Sequence, residues 1–274
     1  MTHTCTVVPL LEALLRWRET DLSRNYLNGT IRPQWAPMRL GDLSLMGNRL
    51  SGPFPRVLTR ITTLVNLSIE GNRFSGSILQ EIVNMKNLQK LILASNEFSG
   101  QLPDGLGKLT NLTDMRLSDN NFTGKIPDYI SNWTQIEKLH MQGCYLEGPI
   151  PSSISLLTKL NELVLRNCLI NGTIHDYLGN MRTLKTLDLS FNNLTGKIPS
   201  SFSELGKTDY IYVSYNRFTW GTSGPTECPR GTIQGASGSD IVEALTANNI
   251  LQEKYGLKKQ KKYAPKVLLR RPFA

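Results

Sequence analysis

Few residues in this 274-residue sequence have types that could do chemistry. His3, His140 and His175 are far apart in the chain, so they compose no metal-ligand motif, and no cofactor is implied. No nucleophile–base set, paired-carboxylate motif or phosphate-cradling loop stands out. The glycine-rich loop, H-R-D and D-F-G runs of protein kinases are not found. The chain therefore does not read as an enzyme. Two thiols are better placed, because Cys144 and Cys168 stand 24 residues apart with polar and aromatic neighbours. The question is what these residues are set into.

They are set into a repeat. Asn48, Asn72, Asn96, Asn120, Cys144, Cys168, Asn192 and Asn216 follow one another at a constant step of 24 residues. Gly52, Gly76, Gly100, Gly124, Gly148, Gly172 and Gly196 keep the same step. So do Pro55, Pro103, Pro127, Pro151 and Pro199, with Leu79 and His175 filling the gaps. The unit reads L-x-x-L-x-L-x-x-N-x-F/L-x-G-x-I-P-x-x-L-x-x-L-x-x, which is a leucine-rich repeat. In LQKLILAS, Leu91 and Leu93 alternate with Lys90, Ile92 and Ala94, so a short strand buries one face. The Asn at the following turn can satisfy backbone groups, and stacked amides form a ladder. Ile-Pro favours an extended path, after which the chain returns as a helical or 3-10 turn. One unit buries too little to fold alone, so stacking is required.

The expected fold is an α/β solenoid: a right-handed horseshoe with a parallel concave β-sheet and short 3-10 or helical turns outside. Residues 1–20 read as an irregular N-terminal segment and 21–221 as about eight to nine repeats. Residues 222–274 read as a basic, disordered tail without repeats. The net charge of +9 is partly local to that tail, where EKYGLKKQKKYAPKVLLRRPFA carries eight Lys or Arg against one Glu. It reads as a solvated end, not as a nucleic-acid site. MTHTCTVVPLLEALLRW makes a poor signal peptide, and no apolar run approaches the roughly 18 residues of a membrane helix.

The repeat separates structural from functional residues. Cys144 and Cys168 occupy ladder slots, where a small thiol tolerates burial. They read as buried free thiols and not as a redox bridge, because reactive thiols are exposed. Positions alternating with the buried leucines face the concave side. Repeat eight looks generic there. Repeats five to seven offer Arg116, His140, Gln142, Tyr145, Arg166 and Asn167, and the ninth adds Tyr210, Tyr212 and Tyr215. Core packing does not dictate these side chains, which makes them the candidate ligand-binding face. Seven glycosylation sequons occur, at Asn28, Asn66, Asn111, Asn121, Asn132, Asn171 and Asn193.

The L-x-G-x-I-P form resembles the plant-type extracellular leucine-rich repeat. DLSRNYLNGTI, LSLMGNRLSGPFPRVLTRITTL, LSIEGNRFSG, LHMQGCYLEGPIPSSI and the closing NRFTW and CPRG are similar to something narrower. They resemble the ectodomain of plant leucine-rich-repeat receptor-like serine/threonine kinases that also carry a malectin-like domain. In that family the repeats precede the malectin-like domain, a membrane helix and a cytoplasmic kinase. The resemblance implies the extracellular side of the plasma membrane. It also implies a peptide, a glycan or another receptor ectodomain as the partner at the concave face. The chain departs from the plan: Cys5 stands alone where a paired-Cys cap is expected, and the likeness stops after about Gly231. It is read as a truncated ectodomain fragment without the kinase. The alternatives are a soluble extracellular inhibitor of a cell-wall-degrading enzyme, like the polygalacturonase inhibitors, and a non-functional gene fragment.

Overall fold

A computed structural model describes residues 18–205 and 208–219. The N-terminal segment before Arg18 and the tail after Thr219 lie outside the described residues, and with them the expectations about signal peptide, tail and Cys5. The described chain climbs through nine turns, here called rungs. Their first strands are Glu19–Asp21, Asp42–Ser44, Asn66–Ser68, Lys90–Ile92, Asp114–Arg116, Lys138–His140, Glu162–Val164, Thr186–Asp188 and Tyr210–Tyr212. They form one parallel sheet in sequence order, the concave face of the solenoid. Each residue pairs with its equivalent 24 positions on, as Asp42 with Asn66, whereas Glu19 pairs with Asp42, 23 positions on. The irregular first repeat is thus a one-residue deletion that leaves the sheet in register. At about 4.8 Å per strand, the stack is roughly 40 Å long.

A second nine-stranded parallel sheet runs along the flank, built from the segment after each ladder residue, as in Glu97–Gly100 and Tyr145–Gly148. The repeat pattern had predicted one sheet. The signal lies in N-x-F/L-x-G. Phe98 is buried between exposed Glu97 and half-buried Ser99, which is the alternation of a strand. Gly100 ends it at φ +78°, a backbone state that other residues rarely adopt. On the convex side the chain returns as 3-10 turns such as Asp104–Lys108 and Asp128–Asn132. Pro103 and Pro127 each hold an extended φ, ψ immediately before these turns. His175 replaces this proline in rung seven, and there the return is a short α-helix, Asp176–Gly179.

The core is a continuous column between the sheets and the turns. Phe74, Phe98 and Phe122 stack near-parallel, with centroids 6.2 and 6.3 Å apart. Trp133 is fully buried and donates Nε1–H to the carbonyl of Leu106 at 3.0 Å. Beside this column runs the amide ladder. Asn96 donates to the carbonyls of Ile69, Leu93 and Ala94, and its Oδ1 accepts from the amide of Phe74. Asn192 repeats the pattern with Leu165, Leu189, Ser190 and Ile170. Each amide thus bridges rungs that would otherwise leave buried backbone groups unpaired.

Candidate functional site

Each rung shows four residues to the concave side. Two lie within the strand, alternating with a buried leucine or its equivalent. Two follow on the loop that leaves it. In rung six these are Lys138, His140, Gln142 and Gly143. The last of the four has a special backbone. Arg24, Ser95, Asp119, Asn167, Phe191 and Tyr215 all have φ between +53° and +58°, and Gly47, Gly71 and Gly143 share the left-handed state at the same slot. The left-handed state costs a side-chain-bearing residue about 1–2 kcal/mol, and Gly, Asn and Asp are its usual occupants. Phe191 and Tyr215 are therefore the anomalous residues of this face.

Rungs five to seven carry a charge network. Arg116 holds Asp114 with two bonds, Nε to Oδ1 and a terminal nitrogen to Oδ2, both 2.9 Å. Across the next two strands, Glu162 accepts from Lys138 Nζ at 2.7 Å and faces His140 Nε2 at 3.0 Å. Burial lowers the His140 pKa, and the Arg116 charge beside it acts in the same direction. Together they outweigh the pull of Glu162, so the ring is neutral at pH 7. Burial works to raise the Glu162 carboxyl, but Lys138 and His140 outweigh it and hold it below its ordinary value. The Asp114 bond raises the Arg116 pKa further. Two of the sequence-picked residues, Arg116 and His140, are thus engaged with partners inside the face.

Rungs eight and nine are aromatic. The rings of Phe191 and Tyr215 stack with centroids 4.3 Å apart and planes 11° apart. The Arg166 guanidinium lies over the other side of Phe191, 5.0 Å from its centroid. Tyr210 and Tyr212 form a second near-parallel pair at 6.3 Å and 5°. Stacking and the cation–π contact contribute about 0.5–1.5 and 0.5–2 kcal/mol respectively. That is enough to offset the backbone cost at Phe191 and Tyr215. The sequence reading took rung eight as generic and so missed Phe191. Its signal was a bulky ring in the slot that holds Gly, Ser, Asp or Asn in rungs two to seven.

Gln142 is half-buried and Asn167 exposed, both on the loops leaving their strands. Tyr145 is corrected: it opens the flanking strand Tyr145–Gly148 and does not lie in the concave sheet. There it is 56% exposed, one repeat before Leu169, which is 46% exposed in the equivalent slot. Cys144 and Cys168 are free and buried. Their thiols lie over the carbonyls of Leu117 and Met141 at 3.5 and 3.2 Å, in the place of the ladder amides. Burial pushes their pKa values up to about 12 and about 11, which suppresses the thiolate. Of the sequons, Asn28, Asn121, Asn171 and Asn193 lie on strands of the flanking sheet. Asn66 is on a concave strand with its amide bonded to Asp42, and Asn111 and Asn132 donate to the carbonyls of Lys86 and Gly107. Among the described residues no group of three or more His, Cys, Asp or Glu could hold a metal, and no helix is long and apolar enough to cross a membrane.

Comparison with known proteins agrees with this architecture. Leucine-rich-repeat family profiles match residues 158–218 and, separately, 87–109, 111–133 and 135–157. A stretch of 61 residues, 22% of the chain, is 56% identical to a probable leucine-rich-repeat receptor-like serine/threonine-protein kinase of Arabidopsis thaliana, and it spans 6% of that kinase. Among solved structures, the plant peptide hormone receptor RGFR1 in complex with RGF2 superposes with TM-score 0.72 at 29% identity. That match covers 75% of this chain and 33% of that one. The Arabidopsis receptor kinase HAESA, in complex with the peptide hormone IDA and the co-receptor SERK1, gives 0.69 at 28%, covering 75% and 35%. A plant ice-binding protein shares the fold at TM-score 0.58 and 25% identity, covering 76% of this chain and 74% of that one. The chain carries leucine-rich repeats in a plant-ectodomain-type solenoid and spans about a third of the receptor ectodomains it matches. The ice-binding relative shows that the fold alone does not determine what is bound.

Proposed function

We propose that the chain is a segment of the ligand-binding ectodomain of a plant receptor-like serine/threonine kinase, of the malectin-like-domain subgroup, displayed outside the plasma membrane. Its task is to recognise an extended peptide along the concave face of rungs five to nine. One observation carries this reading. On that face the solenoid places side chains that core packing does not dictate, among them the stacked rings of Phe191 and Tyr215 in a slot that holds Gly, Ser, Asp or Asn in rungs two to seven. The likeness to ectodomains solved with peptide hormones supports a peptide as the class of ligand. The quoted segments support the subgroup.

The test is hydrogen–deuterium exchange on the full chain with a library of extended peptides. Binding should slow exchange on the loops that follow the concave strands, from Ser118 to Tyr215. Protection confined to the convex turns, or to the flanking sheet, would overturn the reading. Transcript sequencing across the region encoding residues 220–274 tests the subgroup separately. The expected result is a frame that continues into malectin-like, membrane and kinase segments.

A further inference from the structure

The concave positions of rungs eight and nine are Thr186, Asp188, Ser190, Phe191, Tyr210, Tyr212, Ser214 and Tyr215. Asp188 is the one charged group among them. It pairs in register with Tyr212 on the next strand and with Val164 on the previous one. Its Oδ1 accepts from the amide and hydroxyl of Ser190, at 3.0 and 2.5 Å. Among the described residues no cation forms an ion pair with it. The Arg166 guanidinium acts on it only through its charge and lies over the Phe191 ring. Ser190 and Ser214 are buried, so they floor a strip with the Tyr210–Tyr212 pair along one edge and the Phe191–Tyr215 pair along the other. Tyr210 and Tyr215 remain 42% and 45% exposed.

We propose that this strip is a cation subsite, in which Asp188 and the surrounding rings receive a Lys or Arg side chain of the bound polypeptide. The inference rests on the peptide-recognition reading above and names the chemistry of one ligand residue. Three kinds of occupant are chemically distinct here. An anion would meet the Asp188 carboxylate and the negative faces of the rings. An apolar side chain would strip water from a carboxylate whose only hydrogen bonds are the two from Ser190 and bring it no opposite charge, which is costly. A cation satisfies the carboxylate and gains from each ring face it approaches. The geometry thus favours the cation on two independent grounds, charge and ring quadrupole.

The experiment uses the full chain and three acetylated, amidated Gly/Ala nonapeptides that differ only at the central residue: Arg, norleucine or Glu. Binding is followed by the ring-proton shifts of the tyrosines. The Arg peptide should bind at least about tenfold more tightly than the norleucine peptide, and the Glu peptide more weakly than either. Asp188→Asn keeps the acceptor for Ser190 and should abolish the Arg preference. Tyr215→Gly places the residue natural to this slot and should weaken Arg binding severalfold. Acidification should also remove the preference, because protonation discharges Asp188. The other charged or titratable groups beside Asp188 are Arg166, Tyr210, Tyr212 and Glu162, the last bonded to His140. An effect of pH that survives Asp188→Asn would come from another group, such as Glu162 or His140, and count against the proposal. Equal binding of the Arg and norleucine peptides, an unaltered preference in Asp188→Asn, or no shift with the Arg peptide would each overturn it. If norleucine and Arg peptides protect the concave face equally, the subsite fails and peptide recognition stands. If every peptide protects only other surfaces, both fail.

Discussion

Rungs two to four and rungs eight to nine are built on the same skeleton and present opposite surfaces. The ladder amides of Asn72 and Asn192 make equivalent bonds, to Leu45 and Leu165 at 2.9 and 2.8 Å. The left-handed slot, however, holds Gly47, Gly71 and Ser95 in the first region and Phe191 and Tyr215 in the second. The in-strand positions are Asp42, Ser44, Asn66, Ser68, Lys90 and Ile92 in the first region, and Thr186, Asp188, Tyr210 and Tyr212 in the second. The comparison teaches where the solenoid is free. Core and ladder positions keep their kind apart from the thiols of Cys144 and Cys168, whereas those that face the concave side vary widely.

The largest expected effect tests the common skeleton. Asn96→Ala leaves the buried amide of Phe74 without a partner, while the carbonyls of Ile69, Leu93 and Ala94 keep Asn72, Asn120 and the amide of Gly71, and it should cost about 1–3 kcal/mol. Asn192→Ala should cost the same within about 1 kcal/mol. Urea denaturation of both variants measures it. A clearly smaller loss at Asn192 would break the equivalence of the two regions. Cys168→Ala supplies an internal scale. The thiol offers only contacts of 3.2 and 3.6 Å to carbonyls, so its loss should cost about 1 kcal/mol.

A swap between the regions probes their difference, with a smaller effect. Gly71→Tyr places a ring at φ +65°, where a Cβ would meet only ordinary contacts with Gly47 and no ring is present to stack on. It should cost about 1–2 kcal/mol. Tyr215→Gly loses a stack but relieves the same backbone cost, so stability should move by less than about 1 kcal/mol. Thermal unfolding of both variants decides. A large loss from Tyr215→Gly would mean that the aromatic stack holds the solenoid together and is not a surface set aside for a ligand.

Much of this was legible in the sequence because a 24-residue step makes each slot visible many times over. Asn at 48, 72 and 96 can only be structural when it recurs beside buried leucines. The thiols at 144 and 168 inherit that reading from their slot. The flanking sheet was not legible because its strands end at a glycine, which reads as a turn. Tyr145 lies off the concave sheet for the same reason: one residue past the ladder thiol the chain has already turned onto the flank. The pairing of His140 with Glu162 depends on side-chain directions across two strands. Neighbouring rungs do place Lys138 beside Glu162 in one column, and aligning the repeats in register exposes that much. Phe191 was hidden by the alternation rule itself, which stops at the end of the strand and does not extend to the left-handed loop.

The smallest effect contrasts the central network with the aromatic end by pH. His140 in the folded chain holds its proton less tightly than the ordinary 6.5. As pH falls below that value the unfolded chain takes up a proton first, and stability is lost. Glu162, held below its ordinary 4.5, loses further stability as pH drops through its folded value. Asp188 has the opposite sign. Burial raises its pKa above 3.8, against the Ser190 bonds and the Arg166 charge. Its contribution is present at acid pH and is lost as pH rises through the folded value. His140→Gln should therefore reduce the loss of stability between about pH 7.5 and 5, by on the order of 1 kcal/mol or less. Asp188→Asn should stabilise the chain slightly at neutral pH, and the gain should vanish in strong acid. Unfolding midpoints of the two variants across this range separate the regions. If both variants shift in the same direction, the two ends of the face share one electrostatic environment and the contrast between them fails.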